Sequence, residues 1–290
     1  MIAALPYSSA KKSGHAPNLK NLVHVSIGEP MIDLHTHLLP DWDDGAKDWD
    51  ESFKMSKIAK EDGIDKIVLT PHIYRLSKYG NDLAVLETRF SQFYEKMKRI
   101  AISFYRGAEV YIHHEMAKDL KKYNFTVHGS NYLFIEFPED HILPGVKDLL
   151  FRLMLDAYIP IISHPERNAV FGDRPGLFYD LVCMGCLGQV TADSLDGAFG
   201  RHIKKTAELF LRNNLVHVIA SDAHNEKKRP PRLSHGVEKA AKIVGAEKAL
   251  AMVTAIPQAI LDNKAIPDYG EPVNPVKHKK KWAIRLPKFQ

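Results

Sequence analysis

Seven short apolar runs, each followed by a segment of helical period, recur from residue 31 onward and leave few folds open to this chain. The runs are Ile32–Leu34, Lys66–Thr70, Ser103–Glu109, Tyr132–Phe137, Ile159–Ser163, Gly188–Thr191 and Val216–Ala220. Between them lie helical patterns over Trp49–Asp62, Asp82–Ile100, Gly145–Ala157, Gly176–Met184 and Gly200–Asn213. Two more, Gly236–Val244 and Glu247–Ala255, follow the last strand. Asn213-Asn214 supplies a helix stop. Strands this apolar are buried on both faces, which a parallel sheet covered by its own crossover helices provides. Right-handed crossovers either close such a sheet into a barrel or wind it open. The expected class is therefore α/β. The 290 residues, 45% of them hydrophobic, suffice for one barrel-sized core.

The ends of those runs carry the chemistry. Met31-Ile-Asp-Leu-His-Thr-His37 places imidazoles at i and i+2, on one face of a strand, where both can grip one ion. Asp43-Asp44-Gly45 follows, and oxygen and imidazole donors this close suit a hydrolytic metal site. Later runs end in Thr70-Pro71-His72, Gly107-Ala108-Glu109, Ile135-Glu136, Ser163-His164-Pro165-Glu166-Arg167 and Ser221-Asp222-Ala223-His224. In a parallel α/β barrel the C-terminal strand ends meet at one mouth, so these groups are expected to converge. Of the 15 histidines, His113, His114, His128, His141, His202, His217, His235 and His278 read as surface or hydrogen-bonded residues. A carboxylate just after a strand is often a helix cap. Histidines and carboxylates at successive strand ends are another matter, because burying them without a metal or a proton to move is costly.

Several classes are excluded. The net charge of +5 is mild and sits largely in the terminal segments, unlike the concentrated basic stripe of a nucleic-acid-binding face. No apolar run approaches the ~18 residues of a membrane span, and the N-terminus lacks a signal-peptide pattern. Two cysteines fit a reducing compartment, so a cytoplasmic location is expected. Cys183-Met-Gly-Cys186 has CxxC spacing without a second ligand pair and reads as packing. A cysteine phosphatase needs an arginine six residues after its nucleophile. Cys183 has Gln189 at that offset and Cys186 has Ala192, so that mechanism is ruled out. Residues 1–30 read as an extension and 270–290 as a basic tail, with Lys277-His278-Lys279-Lys280-Lys281-Trp282, Arg285 and Lys288. The plain reading of the tail is a solvated terminus, and weak contact with an anionic membrane surface is the alternative.

In order and spacing, Met31–Pro40, Asp43-Asp44-Gly45, Thr70-Pro71-His72, Ile135-Glu136-Phe137-Pro138, His164-Pro165-Glu166-Arg167 and Ser221-Asp222-Ala223-His224-Asn225 resemble the PHP (polymerase and histidinol phosphatase) superfamily. Within it, the chain looks like the bacterial tyrosine-protein phosphatases of capsular and exopolysaccharide operons, the CpsB type. The resemblance covers residues 31–269. It implies a distorted (β/α)7 PHP barrel with three metal ions at the C-terminal strand ends. Manganese is the expected metal, and Fe, Zn or Co suit the same mixed donors. Carried over by motif, one ion belongs to His35, His37, Glu109 and Asp222; a second to Glu109, Glu136 and His164; a third to Asp44, His72 and His224. Histidinol phosphatases tend to carry histidines where Glu136 and Asp44 stand, so carboxylates there favour the tyrosine-phosphatase branch.

The implied reaction is hydrolysis of a phosphate monoester. Metal ions lower the pKa of a bridging water, hydroxide attacks phosphorus in line, and cations neutralise the phosphoryl oxygens. Arg167, three residues after His164, and Arg229, five after His224, are the candidate phosphate forks. A surface salt bridge is the plainer alternative for Arg229. A phenolate of pKa about 10 needs little help from a general acid; Asp44 or His224, through water, is the candidate proton source. The implied partner is the tyrosine-rich tail of a membrane-bound polysaccharide-assembly kinase. The competing readings are a small-molecule phosphatase of the histidinol-phosphatase type and a non-catalytic kinase-binding scaffold; nine filled ligand positions argue against the scaffold. Asp193-Ser194 and Phe199-Gly200 are expected to shape the substrate mouth, and Tyr74–Gly80 to receive a peptide.

Overall fold

The computed structural model describes residues 30–73 and 82–276. The elements run β1 (Met31–Thr36), α1 (Trp49–Glu61), β2 (Ile64–Leu69), β3 (His72–Ile73), α2 (Leu83–Met97), β4 (Ser103–Arg106), β5 (Glu109–Tyr111), α3 (Met116–Leu120) and β6 (Tyr132–Glu136). Next come α4 (Val146–Leu155), β7 (Ile159–Ser163), α5 (Ala169–Asp173), α6 (Pro175–Cys183), β8 (Leu187–Thr191), α7 (Ala192–Asp196), α8 (Arg201–Arg212) and β9 (Val218–Ala220). The last helices are α9 (Ser234–Val244), α10 (Ala246–Ala251) and α11 (Ala255–Leu261).

The fold is α/β, and every strand pairing within its sheets is parallel. One sheet has the order β1-β2-β4, the other β3-β5-β6-β7-β8-β9. The division arises because two expected strands are interrupted. Lys66–Thr70 stops at Leu69 and resumes as β3 beyond Pro71, which has no N–H to donate to a ladder. Ser103–Glu109 breaks at Gly107, where a Cβ would lie 2.8 Å from Val68 Cγ1. Gly107 N donates to Leu69 O at 2.9 Å and Glu109 N to Pro71 O at 3.1 Å, so the two segments stay side by side through the break. The first and last strands also meet: Thr36 bridges Ala223, Asp222 N donates to His35 O at 2.9 Å, and His37 N to Ala223 O at 2.9 Å.

The helices form for local reasons. Asp48 caps α1 by accepting from Glu51 N at 2.8 Å, and Asp82 caps α2 by accepting from Ala84 N and Val85 N. Their apolar faces cover the sheets, and Met55, Ala59, Leu86, Phe90 and Phe93 are buried. A line of rings, Phe137–Phe171–Phe178–Phe210, with centroids 5.4, 5.4 and 4.8 Å apart, joins the end of β6 to α5, α6 and α8. Short helices α3, α5 and α7 fall where no helix is expected, since five residues are too few for a 3.6-residue period to register. The expected helix Glu247–Ala255 is instead α10 and the start of α11, parted at Met252–Thr254. Among the described residues no helix is long and apolar enough to cross a membrane. The Tyr74–Gly80 segment, residues 1–29 and the tail from Lys277 lie outside the described residues.

Candidate metal centre

All nine expected donors come together at the C-terminal ends of the strands. His35 on β1 and His37 just past its end, both fully buried, bring their Nε2 atoms to 3.1 Å of each other. Asp222 Oδ1, just past β9, lies 3.5 Å from His35 Nε2 and 3.4 Å from His37 Nε2. Glu109 Oε2 lies 3.2 Å from His35 Nε2, 3.5 Å from His37 Nε2 and 3.2 Å from His72 Nδ1. Glu136 Oε2 is 3.5 Å from His72 Nδ1, and His164 Nε2 is 3.1 Å from Glu109 Oε1. Asp44 Oδ1 closes the outer side, 3.4 Å from His72 Nε2 and 3.5 Å from His224 Nε2.

Three donor groups of ion-holding geometry overlap here: His37, Asp44, His72 and His224; His35, His37 and Asp222; His72, Glu109 and Glu136. His37 and His72 therefore each stand in two groups, and His164 approaches from the Oε1 side of Glu109. This sharing is finer than the partition implied by resemblance.

The far sides of the imidazoles are held by groups with no metal-facing part. Asp43 Oδ2 pairs with His37 Nδ1 at 2.9 Å and accepts from His72 N at 2.9 Å, while Oδ1 accepts from Gly45 N at 3.0 Å. Gly45 is required by this close approach, since a Cβ there would lie 2.1 Å from His37 O. On β8, Gln189 Oε1 accepts from His35 Nδ1 at 3.0 Å and from His164 N at 3.3 Å. With Nδ1 occupied, His35 and His37 turn Nε2 inward, the usual arrangement around an ion. Sequence reasoning missed these parts of Asp43 and Gln189. The signal available for Gln189 was its i, i+2 relation to Thr191, two polar groups on one face of an otherwise apolar strand. Two donors also carry backbone strain: His164 has φ 31° and Asp222 φ 51°, in the left-handed region that non-glycine residues seldom enter.

The electrostatics fit a cation. Glu109 Oε2 and His72 Nδ1 are buried and make no hydrogen bond, although they lie 3.2 Å apart. Two Nε2 atoms facing each other at 3.1 Å hold at most a shared proton between lone pairs, and a metal ion accepts both. Burial opposes charge on His35, but Glu109 and Asp222 outweigh it and raise its pKa. Burial likewise opposes charge on His37, and the raised value comes from Asp43 first. Burial, with Arg167 beside it, pushes His164 down to about 4, leaving a neutral imidazole suited to ligation. Asp44 is held far below the usual carboxylate range: partial burial opposes this, and His224 and His72 overcome it. These mixed nitrogen and oxygen donors fit Mn, Fe, Zn or Co.

Arg167 and Arg229 stand at the rim. Both donate through Nη2 to Asp222 Oδ2, and Arg167 Nη2 also donates to Thr191 Oγ1 at 2.7 Å. Asp222 is 1% exposed, so Arg229 makes a pair with a buried carboxylate and not the surface salt bridge that was its plainer reading. Burial would raise the Asp222 carboxyl, yet the two guanidinium groups hold it well below the usual range. The Phe199 ring lies against both arginines. Asp193 and Ser194 lie on α7 and serve other contacts: Ser194 Oγ donates to Glu166 Oε1 at 2.6 Å, and Asp193 Oδ1 pairs with His235 Nε2 at 2.8 Å. Cys183 and Cys186 are both free thiols; burial pushes Cys186 up to about 12, in keeping with a packing role.

Known proteins share this chain's sequence and fold. It is 36% identical over 253 residues to the tyrosine-protein phosphatase YwqE of Bacillus subtilis (strain 168), covering 86% of this chain and 98% of that protein. The tyrosine-protein phosphatase CpsB of Streptococcus pneumoniae is 30% identical over 244 residues, covering 81% of this chain and 100% of that protein. A crystal structure from work on YwqE and CpsB, which describes them as metal-dependent tyrosine phosphatases, matches at a TM-score of 0.80 and 35% identity. That match covers 86% of this chain and 100% of the other. Residues 31–262 match the family described as capsular polysaccharide synthesis, CpsB/CapC, and the chain belongs to that family.

Proposed function

We propose that this chain is a metal-dependent protein-tyrosine phosphatase acting on the phosphotyrosine tail of a polysaccharide-assembly kinase. The observation that carries the reading is the two-sided use of one buried carboxylate. Asp222 turns Oδ1 toward the imidazoles of His35 and His37 and Oδ2 toward Arg167 and Arg229. Metal donors and anion-binding forks are thus joined at one residue, as hydrolysis of a phosphate ester demands. The names of YwqE and CpsB point the same way.

In this reading His35, His37, Glu109 and Asp222 hold one ion, Glu109, Glu136 and His164 a second, and Asp44, His72 and His224 a third, with manganese as the first choice. When bound, the ions supply Lewis acidity that lowers the pKa of water and offsets charge on the phosphoryl oxygens. Arg167 and Arg229 orient the phosphoryl group; the Nε–H of each is buried with no hydrogen-bond partner among the described residues. Asp44, ionised and 47% exposed at the mouth, or His224 beside it, orients the water that gives a proton to the phenolate.

The same reading treats the sheets as one distorted seven-stranded barrel. It counts β2 with β3 and β4 with β5 as single strands, and takes the Thr36–Ala223 bridge as the closure. It takes residues 31–269 as the phosphatase domain, supported by a core that extends from Met31 to Tyr269. A kinase tail on the inner membrane face requires a cytoplasmic enzyme, and the basic sequence from Lys277 suits weak contact with that anionic surface. The test is to strip the protein with chelator, reload it separately with Mn, Fe, Zn or Co, and compare a phosphotyrosyl peptide with histidinol phosphate. Turnover of the peptide that returns with metal is expected. Preference for histidinol phosphate, or inactivity with every metal, would sink the proposal.

A further inference from the structure

Arg167 and Arg229 reach the rim from different segments, one after β7 and the other after β9, on long side chains with many rotamers. Both tips donate to the same oxygen of Asp222. One carboxylate oxygen does not set the planes of two guanidinium groups. Thr191 Oγ1 accepts a second hydrogen bond from Arg167 at 2.7 Å, and Phe199 supplies a fixed point common to both arginines. Its ring centroid lies 4.2 Å from Arg167 Cζ and 5.7 Å from Arg229 Cζ, within cation–π range of both. The ring sits in the turn between α7 and α8, flanked by Gly197 and Gly200, both at φ 96°. Side chains with a Cβ avoid that conformation, so the glycines permit the turn that presents the half-buried Phe199. The Nε–H groups of both arginines are buried and have no acceptor among the described residues. Each guanidinium therefore has a tip on Asp222, a ring beside it and an N–H to spare.

We propose that Phe199 is a positioning residue: its ring stacks Arg167 and Arg229 into the shared orientation that receives a phosphoryl group. This deepens the phosphatase reading and rests on it. Two like charges facing one carboxylate repel each other, and the ring's negative face attracts both. The ring also removes rotamer freedom before the anion arrives, so less is lost on binding. A partly desolvated cation–π contact corresponds to a factor of roughly 3 to 30 in an equilibrium.

The test uses the full chain loaded with manganese and compares wild type, Phe199→Leu and Phe199→Tyr. The readouts are binding of inorganic phosphate by calorimetry, KM and kcat on p-nitrophenyl phosphate, metal content and Tm. Phe199→Leu is expected to weaken phosphate binding and raise KM by about 3- to 10-fold, with metal content and Tm unchanged. Phe199→Tyr, which keeps a π face, should return both to within about two-fold of wild type. In an Arg167→Ala background, where the nearer cation is gone, the cost of the leucine should shrink below about two-fold. Equal losses for leucine and tyrosine, an undiminished loss without Arg167, or a loss of metal would each overturn the proposal. A wild-type protein that binds phosphate but turns over no ester would instead count against the phosphatase reading, and the calorimetry would still judge Phe199.

Discussion

At the scale of single residues, Asp222 and Arg167 touch and yet should fail differently. Asp222→Ala, like His35→Ala, removes a donor from the inner group and should abolish metal binding and phosphatase turnover together. Arg167→Ala should keep its metal and weaken phosphate binding by about 2 kcal/mol, the scale of one charge-assisted hydrogen bond. Metal analysis by mass spectrometry beside phosphate titration separates the two, and metal loss in the arginine variant would contradict its role. Gly45 offers a further check. An alanine there presses on His37 O, which also accepts from Ala46 N at 2.9 Å. Gly45→Ala should cost about 2–3 kcal/mol in urea unfolding and lower metal affinity as His37 shifts. Eight of the nine side chains that meet at the site were legible in the sequence because they lie at or just past an apolar run, which marks a strand end, and Asp44 through the Asp43-Asp44-Gly45 motif after the first strand. The partners of Asp43, Gln189 and Phe199 were less so, since local pattern marks a polar or aromatic residue but not the side chain it meets.

At the scale of elements, the loops after β7 and β9 hold His164 and Asp222 in strained conformations, and the elements beneath them keep that strain in place. β8 contributes Gln189 to the donors and packs against β9, where His217 begins the approach to the strand. His217 is buried, accepts from Gly188 N at 3.1 Å and lies against Tyr269 at 5.0 Å. Burial, aided by Lys248, depresses it from 6.5 to about 4. Between those pH values the unfolded chain binds a proton that the folded chain refuses, so stability is full above about 6.5 and falls as pH drops toward about 4. His217→Gln should remove on the order of 3 kcal/mol of that acid sensitivity. Urea unfolding at pH 7.5 and pH 4.5, for wild type and variant at fixed metal concentration, would reveal it. Parallel acid losses in the two proteins would mean His217 titrates normally. Helix and strand types followed from hydrophobic period. The breaks at Pro71 and Gly107 did not, because period does not register proline's missing N–H or the close approach of Val68 to Gly107.

At the scale of the whole molecule, metal binding should count as folding energy. The site crowds His35, His37, His72 and His224 against Asp44, Glu109, Glu136 and Asp222, and without cations this arrangement depends on shared protons. An ion at about 100 times its Kd adds about 2.7 kcal/mol per site. In a chain of this size each kcal/mol shifts Tm by about 2–4 °C. Chelation should therefore lower Tm by about 10 °C or more in differential scanning fluorimetry, and reloading should restore it. A Tm indifferent to chelator would show that the donors do not hold metal in solution.

By itself the sequence determined the α/β class, which histidines and carboxylates stand near the strand ends, and that neither cysteine has an arginine six residues on. Those properties reside in period, in order along the chain and in residue chemistry. Only the tertiary structure decided that Asp222 faces two ways, that Asp43 and Gln189 orient the imidazoles, and that one phenylalanine lies against both arginines. Most of these are contacts between segments far apart in the chain, as His35 with Gln189 and Arg167 with Asp222 are. They arise when parallel strands bring their ends together, and the distances involved are a property of packing.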